Sequence, residues 1–134
     1  MIKAKKSLGQ NFLIDRDILK KIVSTTPITN KIIVEVGPGT GNLTSFILKN
    51  KPKKMFVIEK DNELANNLGE TFKDKITIIN DDILNINESL LFHDKVTVFG
   101  NLPYNISTEI LSKWIINLKN TFWFDHLVLM FQKE

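Results

Sequence analysis

The segment FGNLPYN, residues 99–105, places an amide, a proline and a tyrosine directly after an apolar run. The side-chain carbonyl of Asn101 and the backbone carbonyl of Leu102 can each accept one N–H of an amine carried by a base. Two such bonds favour a pyramidal nitrogen whose lone pair points at an electrophile, which stabilises a transition state for alkylation. Pro103 stiffens the turn, and Tyr104 can stack on the face of the base. These four residues are therefore the candidate catalytic group.

A glycine-rich loop, EVGPGTGNLT at residues 35–44, follows the first apolar run. Gly37, Gly39 and Gly41 allow the backbone to turn tightly and to approach a ligand closely. The loop leads into a predicted helix, whose free N–H groups favour an electron-rich ligand. Its spacing, G-x-G-x-G, matches neither the dinucleotide fingerprint nor a P-loop. A tight turn with no ligand is the alternative.

Acidic residues follow the next two apolar runs. Glu59 can accept hydrogen bonds from both hydroxyls of a ribose. Asp81 or Asp82 can meet the exocyclic amine of an adenine, and their chemistry alone does not choose between them. The pyrophosphate of NAD would require the longer glycine fingerprint, so a nucleoside with a compact charged tail fits better. S-adenosylmethionine is such a molecule, and it is the predicted cofactor.

These candidate residues stand at the ends of predicted strands. Five apolar runs are predicted strands, at residues 31–37, 54–61, 75–81, 95–101 and 125–134. They alternate with helical patterns, which indicates an α/β fold with a parallel sheet covered by helices on both faces. Ligands bind at the carboxyl ends of the strands in such sheets, so the candidate residues are expected to meet there.

The helices are predicted from caps and apolar stripes. Asp15 can cap an N-terminal helix, and Ser107 can cap a later one. The apolar positions of the four predicted helices are Ile18, Leu19, Ile22 and Val23; Leu43, Phe46 and Ile47; Leu64, Leu68 and Phe72; and Ile110, Leu111, Trp114, Ile115 and Leu118.

Composition narrows the class of protein. The chain has 134 residues, of which 43% are hydrophobic, enough for one globular domain with a sizeable core. No apolar run approaches the ~20 residues of a membrane span. The chain has no cysteine, which excludes thiolate chemistry and fits a cytoplasmic location. Its two histidines, His93 and His126, stand apart from each other in the sequence, so no metal site is predicted. The net charge of +3 leans toward a polyanionic partner.

Four motifs together resemble the rRNA adenine N6-dimethyltransferases, above all the bacterial small-subunit branch of that family. They are KKSLGQNFLID, EVGPGTGNLT, FGNLPYNIST and the terminal MFQKE, and the resemblance spans nearly the whole chain. It implies a Rossmann-like class I S-adenosylmethionine-dependent methyltransferase. It also implies transfer of two methyl groups to the N6 of each of two adjacent adenines near the 3′ end of 16S rRNA. The partner would be the immature small ribosomal subunit.

The resemblance assigns roles to residues by motif. The donor-binding residues it implies are Gln10, Asn11, Leu13, Gly37, Gly39, Glu59, Lys60, Asp82, Ile83 and Asn101. Within the family pattern, Glu59 takes the ribose, and Asp82 rather than Asp81 lies at the adenine. Asn101 would serve both the donor and the target amine, and Tyr104 would stack on the target base.

The resemblance also predicts how the chain divides. Residues 1–30 would be an N-terminal helical and motif segment that packs on the donor site, and residues 31–134 would be the Rossmann-like core. Family members continue well beyond this point, so we expect a core truncated after about the fifth strand, without the C-terminal helical domain. The fifth strand would then expose an unpaired apolar edge that favours self-association.

Alternative functions remain open at this level. A donor- or RNA-binding module without turnover would use the same residues. The large-subunit rRNA adenine methyltransferases of the resistance type share most motifs but favour GNIPY, where this chain has GNLPY. A nicotinamide-dependent dehydrogenase would need the longer glycine fingerprint and has no use for NLPY.

Overall fold

The computed structural model describes residues 15–102, 104–116 and 123–131, with the backbone alone at 104–106 and 131. Its helices are α1 (Arg16–Val23), α2 (Asn42–Lys49), α3 (Asn62–Phe72), α4 (Glu88–Leu91) and α5 (Tyr104–Ile116). Its strands are β1 (Ile32–Val36), β2 (Lys54–Ile58), β3 (Thr77–Ile79), β4 (Val96–Leu102) and β5 (Phe124–Phe131). Within these ranges, every helix falls short of the length and apolarity needed to cross a bilayer.

The five strands form one parallel sheet in the order β3-β2-β1-β4-β5. The chain builds outward from β1 in one direction through β2 and β3, and then in the other through β4 and β5. The carboxyl ends of β1 and β4 therefore flank the point at which the order reverses, the usual ligand site of open α/β sheets. The parallel sheet predicted from the sequence is confirmed.

Helices cover both faces of this sheet, as predicted. Alternate residues of a strand point to opposite faces, so Ile33 and Val34 enter different cores. The core on the face of α1, α2 and α3 contains Leu19, Ile22, Ile33, Leu43, Ile47, Met55, Val57, Leu68 and Phe99. The core on the face of α5 contains Val34, Val36, Ile58, Ile83, Phe92, Val96, Val98, Leu102, Ile110 and Trp114.

The two predicted helix caps have different outcomes. Asp15 caps α1 as predicted, because its carboxylate accepts hydrogen bonds from the backbone N–H groups of Asp17 (2.9 Å) and Ile18 (3.3 Å). The Ser107 cap is wrong: α5 begins at Tyr104, and Ser107 is a buried residue inside the helix. β4 continues to Leu102, so α5 has already begun, at Tyr104, before the chain reaches Ser107.

Some predicted strands are too long. The second was predicted over 54–61, but β2 ends at Ile58 because Asp61 leaves the sheet to cap α3, accepting the Leu64 N–H at 2.9 Å. The third was predicted over 75–81, but β3 covers only Thr77–Ile79, and a 3₁₀ turn occupies residues 73–75. The short helix α4 was not predicted.

Gly41 fixes how α2 and α3 approach each other. Its φ is +92°, and a methyl group placed on it would lie 2.6 Å from a ring carbon of Phe72 on α3. Only glycine tolerates both the left-handed backbone and this close approach. The glycine loop thus lets α3 pack directly under the start of α2.

Candidate functional site

The carboxyl ends of β1, β2 and β4 meet at one edge of the sheet. The N–H of Gly37 donates a hydrogen bond to the Ile58 carbonyl at 3.0 Å, which joins the ends of β1 and β2. A methyl group added at Gly37 would lie 3.4 Å from the backbone carbonyl oxygen of Asn101, at the end of β4. Gly37 also has a φ of +69°. The backbone at Gly37 therefore runs beside Asn101, and its left-handed φ would strain any residue other than glycine.

Glu59 is held rigidly beside the glycine loop. One carboxylate oxygen accepts the N–H of Gly39 at 3.2 Å, and the other accepts the N–H of Asp61 at 2.9 Å. Burial raises the pKa of Glu59, while these backbone hydrogen bonds oppose that rise. The Lys60 N–H adds a third, smaller backbone contact, and the lone-pair positions that remain on the anchored carboxyl group can accept ligand hydroxyls.

The loops after β2 and β3 are joined by Lys60 and Asp82. The Lys60 Nζ lies 3.3 Å from one oxygen of Asp82, and the other oxygen accepts the Leu84 N–H at 3.0 Å, which caps the 3₁₀ turn Ile83–Asn85. Asp81 is exposed, and its side chain accepts the neighbouring Asp82 N–H at 2.7 Å. Of the two carboxylates left open by chemistry, Asp82 is the more buried and the better fixed.

Asn80 was not predicted as a site residue, yet it braces the same region. Its side-chain amide donates to the carbonyls of Glu59 at 2.9 Å and Lys60 at 3.4 Å. The backbone beneath the Glu59 carboxyl group is therefore tied to the end of β3. The available signal was an asparagine near the end of the third predicted strand, because asparagine is depleted in strands and common where the chain turns.

The candidate catalytic group lies at the end of β4 and the start of α5. Asn101 is half-buried in β4, whereas the Leu102 side chain is buried in the core, which leaves its backbone carbonyl as the group with chemistry to offer. Tyr104 is the first residue of α5. Pro103 lies outside the described residues, as do the predicted donor-binding residues Gln10, Asn11 and Leu13.

Of the other predicted donor-binding residues, Gly39 lies in the loop with a φ of +61°. Ile83 begins the turn that Asp82 caps, and its side chain is buried in the core. Across the described ranges, no group of three or more histidine, aspartate or glutamate side chains is placed to hold a metal ion.

Glu35 is a buried carboxyl group that the sequence reasoning missed. It is 2% exposed in the middle of β1, and one of its oxygens accepts the Thr44 hydroxyl of α2 at 2.5 Å. Burial raises the pKa of Glu35 to about 8, the Thr44 hydrogen bond opposes the rise, and the nearby charge of Glu59 adds to it. A carboxylate inside the continuous apolar run KIIVEVG was the signal, because such strands are buried on both faces.

This buried carboxyl group predicts a pH-dependent stability. The folded state holds the Glu35 proton up to about pH 8, whereas the unfolded chain loses it near pH 4.5. The folded state therefore binds more protons between these values, and the free energy of unfolding is expected to fall as pH rises across them, by on the order of 3 kcal/mol. Glu35→Gln keeps an oxygen for Thr44 and removes this dependence, so it should stabilise the chain at pH 8.

Urea unfolding at pH 5, 6, 7 and 8 measures the effect. Glu70→Gln, on the exposed side of α3, is the matched control because it removes an exposed carboxyl group. Equal pH profiles for the wild-type chain and Glu35→Gln would contradict the prediction.

Comparison with known proteins gives consistent matches. The sequence profile of the family described as "Ribosomal RNA adenine dimethylase" matches residues 1–134. A curated relative from Pelagibacter ubique, named ribosomal RNA small subunit methyltransferase A, is 68% identical over 99% of this chain and 51% of its own length.

Two solved structures share the fold. A dimethyladenosine transferase from Plasmodium falciparum superposes with a TM-score of 0.76 at 28% identity, over 92% of this chain and 44% of that one. The 23S rRNA methyltransferase ErmE superposes with a TM-score of 0.75 at 26% identity, over 91% of this chain and 48% of that one. The chain thus spans about half the length of the curated relatives that it matches.

Proposed function

Because this chain belongs to the ribosomal RNA adenine dimethylase family, we propose that it forms the methyl-donor half of a cytoplasmic 16S rRNA dimethyltransferase. The reaction would place two methyl groups from S-adenosylmethionine on the N6 of each of two adjacent adenines near the rRNA 3′ end. The observation that carries the proposal is the junction of three strand ends, where Glu59 is anchored to the glycine loop and Gly37 approaches Asn101.

The residues at this junction fit the donor. The Glu59 carboxyl group would accept the two ribose hydroxyls through the lone pairs that Gly39 and Asp61 leave unused. Asp82, fixed by Lys60 and by the turn it caps, would accept the exocyclic amine of the adenine. The methionine part of the donor would lie against the glycine loop, where the Gly37 backbone passes beside the end of β4.

The chain's own groups would activate the target amine. S-adenosylmethionine supplies, when bound, a methyl group made electrophilic by its sulfonium. The Asn101 side-chain carbonyl and the Leu102 backbone carbonyl would each accept one N6 hydrogen and turn the nitrogen lone pair toward that methyl carbon. Transfer would form the C–N bond as the C–S bond breaks and would leave a neutral thioether. The ammonium formed on the target nitrogen would then lose its acidic proton to water.

A second candidate is a module that binds the donor or the rRNA without turnover. The observation that favours it is coverage, since the chain corresponds to about half of its curated relatives. The two candidates share their donor-binding residues and differ only in whether the methyl group is transferred. A third candidate, action on large-subunit rRNA, has the superposition on ErmE in its favour.

The test has two stages. Isothermal titration of S-adenosylmethionine into the chain measures donor binding. Transfer of labelled methyl groups is then measured on small subunits that lack the N6 methyl groups, on fully methylated small subunits and on large subunits. The same assay is run on a chimera in which the remaining half of the Pelagibacter ubique relative follows Glu134.

Each outcome selects one proposal. Labelling of the unmethylated small subunits alone supports the 16S enzyme, and labelling of large subunits replaces it with the third candidate. Donor binding with transfer only in the chimera assigns the non-catalytic role to this chain. A folded chain that does not bind the donor would contradict the first candidate and the donor-binding form of the second.

We also propose that this chain self-associates through β5, which is one of the two outer strands of the described sheet. An outer strand offers backbone N–H and C=O groups to another strand, and this one carries the apolar run from Leu127 to Met130. Size-exclusion chromatography with light scattering should show a mass that rises with concentration. A monomer at all concentrations up to about 100 μM would contradict this prediction.

A further inference from the structure

The ammonium group of Lys113, on α5, contacts three acceptor atoms. Its Nζ donates to the backbone carbonyls of Ile83 at 2.6 Å and Ile86 at 2.5 Å. It also lies 2.9 Å from a carboxylate oxygen of Glu88. An ammonium group has three donors, so these three partners use all of them.

The carboxylate in this cluster is itself buried and shared. The Glu88 side chain is 5% exposed, and the oxygen that meets Lys113 also accepts the indole N–H of Trp114 at 2.9 Å. Trp114 is fully buried in the core on the α5 face of the sheet. The cluster is therefore anchored in the core and is not a solvated surface pair, so its geometry is fixed.

The cluster connects two parts of the proposed donor site. The Ile83 carbonyl belongs to the 3₁₀ turn that Asp82 caps through the Leu84 N–H. Lys113 lies on the helix that begins at Tyr104, directly beyond the end of β4. A single side chain thus links the turn on the adenine side of the donor to the helix that follows the candidate catalytic group.

We propose that Lys113 is a positioning residue that holds the turn Asp82–Asn85, and with it the Asp82 carboxylate, at a fixed place relative to Asn101. This inference rests on the proposed donor site. It adds that adenine recognition depends on a lysine that does not touch the donor. Positioning of this kind matters because small displacements of a binding group cost large factors in affinity and rate.

The variants separate positioning from charge compensation. Lys113→Met removes the link but also leaves Glu88 buried without its cation, which destabilises the fold. The double variant Lys113→Met with Glu88→Gln is neutral, and the glutamine oxygen can still accept the Trp114 N–H. It should therefore recover stability without recovering the bonds to the Ile83 and Ile86 carbonyls. Lys113→Arg keeps the charge, and Lys95→Met removes an exposed lysine as the matched control.

Two readouts test the proposal in the double variant. Amide hydrogen exchange at Leu84 and Asn85 in the ligand-free chain should become about 10-fold faster, because the turn is no longer held. Binding of S-adenosylhomocysteine should weaken about 10-fold, while binding of S-inosylhomocysteine, which lacks the adenine amine, should change little. The ratio of the two affinities, which measures the preference for the ligand with the adenine amine, should therefore fall in the double variant. In Lys113→Arg this ratio should stay near the wild-type value.

A role in folding alone would change stability in the single variant but leave the ligand preference of the double variant intact. Wild-type exchange rates and wild-type preference in the double variant would therefore overturn the proposal. If the wild-type chain binds neither ligand, the proposed function fails, and the positioning role fails with it. Faster exchange in the double variant would then show that the link itself exists, which distinguishes the two failures.

Discussion

Glu59→Ala is expected to weaken S-adenosylmethionine binding by at least about 100-fold, because the two hydrogen bonds proposed between its carboxylate and the ribose hydroxyls would be lost. The loss should extend beyond those two bonds. The same carboxyl group holds the Gly39 N–H and the Asp61 N–H, so its removal also releases the glycine loop from the start of α3. Isothermal titration measures the affinity, and chemical unfolding measures how much stability changes.

Two further variants separate these effects. Glu59→Gln keeps one acceptor oxygen and nearly the same volume, so we expect an intermediate loss of donor affinity of about 10-fold. Its stability should fall less than that of Glu59→Ala, because the amide nitrogen loses only one of the two backbone N–H partners. Glu70→Ala removes an exposed carboxylate from α3 and should bind the donor like the wild-type chain. Donor affinity within twofold of wild type in a folded Glu59→Ala variant would rule out the ribose role.

Asn101→Ala is expected to lower the rate of methyl transfer by about 100- to 1,000-fold, because its side-chain carbonyl is proposed to hold the amine only as the transition state forms. Donor binding should fall much less, since the backbone carbonyl of Asn101 and the glycine loop stay in place. Single-turnover labelling of unmethylated small subunits measures the rate, and titration measures donor affinity in the same variant. The chimera with the Pelagibacter ubique relative provides the assay if the chain alone does not turn over.

Asn66→Ala is the matched control, since Asn66 is an exposed asparagine on α3. The informative result is a large loss of methyl-transfer rate together with a small loss of donor affinity. If Asn101→Ala lowers donor affinity and transfer rate by the same factor, Asn101 acts in donor binding alone, and the proposed contact with the target amine is wrong.

Local patterns were enough to predict the strand and helix alternation and most of the candidate site. Glu59 and the glycine loop were found because ligand sites of parallel sheets follow the strand ends, which an apolar run followed by glycine or an acid marks directly. The choice of Asp82 over Asp81 came from the family resemblance. It stays a prediction; in the structure Asp82 caps the turn and meets Lys60, whereas Asp81 is exposed.

The Ser107 cap was wrong and Glu35 was missed for the same reason: both depend on tertiary packing, which a local pattern does not specify. Ser107 resembled a helix cap, but the helix had already begun at Tyr104, and burial of Ser107 against the core followed from the packing of α5. Glu35 looked like one more residue of an apolar strand. Its raised pKa depends on complete burial under α2 and on the nearby Glu59, neither of which a run of letters specifies.

The sequence by itself determined the elements, the turn chemistry of the glycine loop and the residue types available at each strand end, because these depend on neighbours a few positions apart. Only the tertiary structure decided that β4 lies beside β1, which brings Asn101 to Gly37, and that Lys113 reaches Ile83. Any of the apolar strands could in principle pair with any other. The order they adopt follows from packing both cores at once, and the distances within the site follow from that order.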